Sequence, residues 1–148
     1  MWRTPSPGNL GIEAWSYMDE AKDKAIKRWL IKAEHDLIAT KVMNASGQPI
    51  EDIVCFHAQQ CVEKCLKAFL AFKDVHIEKT HDLTRLVGIC GEKDKEFYRF
   101  EDLADKLSSY ATAPRYPDAW REISSGEAMS AIKDAEEVME FVRKKLFV

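Results

Sequence analysis

Nowhere does the chain hold an uninterrupted apolar run near the roughly 20 residues that a membrane-crossing helix requires, so a helical span is excluded. Nor do its β-branched residues alternate over a strand's length, which excludes a sheet as the organising element. Cysteine is sparse: Cys55, Cys61, Cys65 and Cys90 lack the dense, even spacing of a secreted disulfide framework, and reduced thiols are expected. No excess of one charge exists either. Lys and Arg total 22 against 25 Asp and Glu, giving a net charge of -3, so any nucleic-acid site is local rather than spread over the whole surface. Histidine is scarce as well, with four in all and none beyond His81. The opening Met1-Trp2-Arg3-Thr4-Pro5-Ser6-Pro7-Gly8 has no apolar core of signal-peptide length, and a cytoplasmic location is the expectation.

What remains is enough for one ordinary domain. The 148 residues are 46% hydrophobic and 32% charged, too apolar for disorder, and a globule of this size buries roughly 70% of its unfolded surface without help from a metal or disulfide. Ile26, Leu30, Ala33, Leu37 and Met43 follow helical spacing and predict a first helix of about six turns from about Glu20. Gly47 and Pro49 then turn the chain. A second helix is expected from about Glu51 to Lys73, with Val54, Ala58, Cys61, Cys65, Leu66 and Phe69 on one stripe and antiparallel packing on the first. Thr80-His81-Asp82-Leu83 reads as the cap of a short connector ending near Ile89, broken by Gly88 and Gly91. Phe97, Phe100, Leu103, Leu107 and Tyr110 mark a third main helix from about Asp94. Ala128, Ile132, Ala135, Met139, Val142 and Leu146 mark the last, with Ser124 and Glu127 as its capping box. The fold class is therefore all-α: an antiparallel up-and-down bundle of four main helices plus a short connecting helix. Residues 1–20 stand apart as an extension, partly packed because Trp2, Leu10, Ile12, Trp15 and Tyr17 load it with apolar surface, and 21–148 form the bundle. That load, with Trp29, exceeds what four helices bury and points to a homodimer.

Chemistry concentrates in few places. His57, Cys61 and Cys65 are spaced four and four on one helix, a geometry open to zinc, but the cysteines lie on the stripe that must be buried, so core packing is the reading and no metal is assigned. Glu63 and Lys67 form an i,i+4 pair in the favourable order, as on a solvated helix face. In the loop from Ala111 to Trp120, Pro114 and Pro117 bracket Arg115 and Tyr116. A guanidinium fork suits phosphate, and a phenol offers a stacking face with a hydroxyl. The alternative is that Arg115 pairs with Asp118 while Tyr116 anchors the loop.

The segments Trp29–Leu37, Phe56–Ala68, Lys79–Leu83 and Ala113–Asp118, in this order and spacing, resemble the HEPN domain, with the likeness extending over roughly residues 25 to 146. The resemblance implies a helical bundle, often dimeric, that works beside a minimal nucleotidyltransferase in nucleotide or RNA transactions of toxin–antitoxin type, without a cofactor. Under it, Lys64 and Lys67 become ammonium donors to phosphate and His81 a ligand candidate beside its role at the connector's start. Arg115, Tyr116 and Asp118 become the loop's ligand-binding set, with Tyr116 also a target for modification by the partner. Ribonuclease members of the family carry an Arg followed after four to six residues by His near the last long helix. No His follows Arg115, and the formal match at Arg28 and His35 is at chance level for four histidines, so no catalytic residue is assigned. A metal-independent ribonuclease toxin acting as a dimer and a non-catalytic helical adaptor are the alternative readings.

Overall fold

The computed structural model describes residues 12–111 and 121–147, and side chains within these from Glu20 to Leu146. Among the described residues there are five α-helices, α1 (Ile12–Ala45), α2 (Glu51–Phe72), α3 (Leu83–Lys93), α4 (Glu101–Ser108) and α5 (Ser125–Phe147), and no strand. None of these helices is long and apolar enough to cross a membrane.

Successive main helices alternate in direction. Lys22 meets Asp74 and Asp36 meets His57 and Lys64, so α1 and α2 run antiparallel. Phe97 packs at a tilt on Phe69 and edge-on against Phe141, while Lys106 of α4 reaches Asp134, which sets residues 97–106 against both α2 and α5. Glu34 to Arg143 and Lys41 to Glu136 align α5 against α1, so α2 and α5 run the same way and meet across the bundle. The predicted stripes supply the core: Ile26 and Ala33 of α1, Val54, Cys61, Leu66 and Phe69 of α2, and Ala128, Ala135 and Val142 of α5 are essentially inaccessible. All four cysteines are buried and free. Burial pushes the Cys90 thiol up to about 12 and the Cys55 thiol to about 11, and hydrogen bonding of the Cys65 thiol to Cys61 together with burial raises Cys65 as well.

Four local expectations differ from the outcome. α1 starts at Ile12 rather than near Glu20, because no Gly or Pro interrupts the chain between Gly11 and Gly47. Its side chains before Glu20, Trp15 and Tyr17 among them, lie outside the described set, as does Trp2. α3 runs through Gly88 and Gly91 to Lys93, and it is a core member rather than a mere connector, since Leu83, Leu86, Val87 and Cys90 are buried. At Gly91 a Cβ would overlap the Tyr98 ring, so a larger residue there would require that ring to shift. The third main helix is not one α-helix: Lys95–Phe100 and Ser109–Ala111 are 3₁₀ segments flanking α4. The steps of three from Phe97 to Phe100 to Leu103 fit that tighter winding. Finally, the capping box is half made. Ser124 Oγ accepts from the Glu127 N–H at 3.1 Å, but the Glu127 carboxylate turns elsewhere.

Candidate functional site

Two carboxylates lie at the surface of α2, and each holds one lysine and one histidine. Asp36, on the edge of the α1 core stripe, accepts from Lys64 Nζ at 2.5 Å and from His57 Nδ1 at 2.9 Å. Glu63, on α2 itself, accepts from Lys67 Nζ at 3.0 Å and from His81 Nδ1 at 2.7 Å. A carboxylate only accepts, so Nδ1 of each ring carries the proton and Nε2 is the atom left for other partners. Gln59 binds this second group to α2 by donating to the His81 carbonyl at 3.0 Å, and Gln60 donates to Gln59 at 2.8 Å.

Burial differs sharply between the members. The Glu63 and Lys67 side chains are 5% and 7% exposed, so the pair expected on a solvated face is instead sealed between helices, with the Lys67 ammonium 5.6 Å from the centre of the Trp29 ring. His81 reaches that pair from outside at 66% exposure. Its ring thereby ties the start of α3 to α2, while Asp82 supplies the cap itself through Thr84 N and Arg85 N. His57, Cys61 and Cys65 do not converge. His57 turns to Asp36 and the cysteines to the core, and no group of metal-ligating side chains forms among the described residues.

The ends of the loop meet close by. Tyr110 donates to Glu127 Oε1 at 2.6 Å, and Arg121 grips the same carboxylate in a forked contact at 2.5 and 3.1 Å. The Arg121 guanidinium and then the Tyr110 hydroxyl pull the Glu127 carboxyl from its ordinary 4.5 down to about 2, while burial and the Glu127 bond push the Tyr110 phenol upward. A carboxyl depressed by folding stabilises the fold fully above its unfolded value and loses that contribution as pH falls. Between about pH 4.5 and 2 the wild type is expected to lose stability more steeply than Glu127→Gln, a difference that urea midpoints measured across that range will show. Equal slopes would remove this carboxyl from the acid response.

Tyr110 lies in the 3₁₀ segment Ser109–Ala111, which packs against α2. Gln59 ties His81 to the same helix. Of the residues singled out by sequence, Lys64, Lys67 and His81 are brought to one strip of α2, and Arg115, Tyr116 and Asp118 lie outside the described residues. Sequence reading passed over Asp36 and Gln59, took His57 only as a metal candidate, and gave Glu127 only its capping role. Asp36 did carry a faint signal, since it is an acid bordering the apolar positions Ala33 and Leu37.

The HEPN domain family model matches residues 26–145 of the chain. A Methanocaldococcus jannaschii protein named "Putative toxin MJ1304" is 27% identical, the match covering 81% of this chain and 87% of that protein. The crystal structure of an archaeal HEPN homologue superposes with a TM-score of 0.66 at 24% identity, over 82% of this chain and 97% of the other, a likeness of fold.

Proposed function

The chain belongs to the HEPN domain family, and from this we propose that it is a toxin-like module that binds a nucleotide or an RNA end and acts with a minimal nucleotidyltransferase partner in the cytoplasm. The observation that carries the reading is the gathering of His57, Lys64, Lys67 and His81 around α2 by Asp36, Glu63 and Gln59, and Arg115, Tyr116 and Asp118 belong to the proposal as sequence candidates. The name of the M. jannaschii relative supports the toxin-like role. Dimerisation is supported by Ile31, Ile38 and Val42, exposed at 49%, 51% and 65% along one face of α1. In this reading residues 21–148 carry the role, residues 1–20 are an extension to it, and no metal, cofactor or catalytic group is assigned.

Arg115→Ala is expected to weaken binding by about 1–3 kcal/mol, the range of a charge-assisted contact, with helicity and oligomeric state unchanged. Calorimetry with mononucleotides and short RNA measures it, beside a cleavage assay on the wild type. Binding that is unaltered in Arg115→Ala would leave the adaptor role. Robust RNA cleavage lost in Arg28→Ala or His35→Ala would establish the ribonuclease instead.

A further inference from the structure

The strip of α2 that remains partly open is bounded on one side by His57 and Lys64, held to α1 through Asp36, and on the other by Glu63 and His81. At about 100° per residue, Phe56 and Gln60 lie between these rims, and both are half-buried. His57 and Glu63 stand six residues apart, roughly 9 Å along the axis, and a third of a turn around it.

Charge on this strip is matched in an unusual way. Two carboxylates face two ammoniums, so Lys64 and Lys67 are already neutralised by Asp36 and Glu63. The second nitrogen of each imidazole is then the polar atom left on the strip to meet a ligand. Among the described residues neither His57 Nε2 nor His81 Nε2 has a partner, and each ring is fixed by a carboxylate on its Nδ1. A ring oriented in this way presents its Nε2 edge in a set direction, and a proton taken up there would be donated to a phosphate oxygen.

We infer that this strip binds two phosphate groups of a short single-stranded RNA, one at His57 and one at His81, with the lysines serving to balance the carboxylates that orient the two rings. The inference rests on the nucleotide or RNA reading above and deepens it. The two rings stand on opposite rims, each held by its own carboxylate, so they offer two separate contacts rather than one. The other two histidines provide an internal contrast, since among the described residues neither His35 nor His76 is hydrogen-bonded to a carboxylate, as His57 and His81 are.

The test is ¹⁵N NMR of the four imidazoles in the whole chain, titrated with the dinucleotide pApA and with AMP. The Nε2 resonances of His57 and His81 are expected to move on addition of pApA while those of His35 and His76 stay. The dinucleotide should bind about tenfold more tightly than AMP, and His57→Gln or His81→Gln should each remove about that factor, with His76→Gln as the control. The wild-type spectra decide the matter even if a variant folds poorly. Binding of pApA with the His57 and His81 resonances unmoved overturns this inference and leaves the broader reading standing. Failure of pApA, AMP and short RNA to bind at all overturns both.

Discussion

Glu63→Ala is expected to lower the unfolding free energy by about 3–5 kcal/mol, the range for breaking a buried ion pair from one side. The carboxylate is 5% exposed and serves Lys67 and His81 together. Removing it strands the Lys67 ammonium between α1 and α2, where the Trp29 ring is a poor substitute for a counter-charge. It also releases the ring that ties α3 to α2. The double replacement Glu63→Leu with Lys67→Met should recover most of the loss, because it removes both charges and leaves neither unpaired. Urea unfolding followed by circular dichroism measures both proteins. A loss below about 1 kcal/mol in Glu63→Ala would mean that water reaches Lys67 freely.

Phe97→Ala is expected to cost a similar amount, about 3–5 kcal/mol, through a different cause. Phe97 is inaccessible and touches three other rings: Phe69 at 4.2 Å, Phe141 at 5.0 Å and Phe100 at 6.3 Å between centroids. These rings come from α2, α5 and the 3₁₀ segment, so their packing joins three elements at one point. Loss of the ring leaves a cavity that neighbours on rigid helices fill only in part. The denaturant midpoint should fall while the slope of the transition holds, as for a two-state protein that loses packing alone. A loss under about 1 kcal/mol would show that the site collapses around the smaller side chain.

The bundle was legible in the sequence wherever apolar residues recur at steps of three and four, which is why Ile26 through Leu37 and Ala128 through Leu146 were placed on their buried faces. Helix ends were less legible. Gly88 and Gly91 read as breakers because glycine weakens isolated helices, yet α3 continues through both, since the contacts of Leu86, Val87 and Cys90 outweigh a cost of about 1 kcal/mol per glycine. The candidate site was legible as single residues and not as pairs. Lys64, Lys67 and His81 stand out by type, but Asp36 lies 28 positions from Lys64, and only the crossing register of α1 on α2 brings them within 2.5 Å. Spacing within one helix also showed Glu63 and Lys67 as partners, although it could not show that Trp29 and His81 close over them.

The central place of α2 bears on how the protein is made. Every other helix touches it, and α1, preceding it in the chain, can cover one side as soon as α2 leaves the ribosome. The side that receives α5 must wait until synthesis has passed from Phe72 to Phe147, about 4 to 15 s at ordinary rates of translation. During that interval Val62, Leu66 and Phe69 belong to a half-finished hairpin with one apolar flank open, and the nascent chain is then most in need of a chaperone.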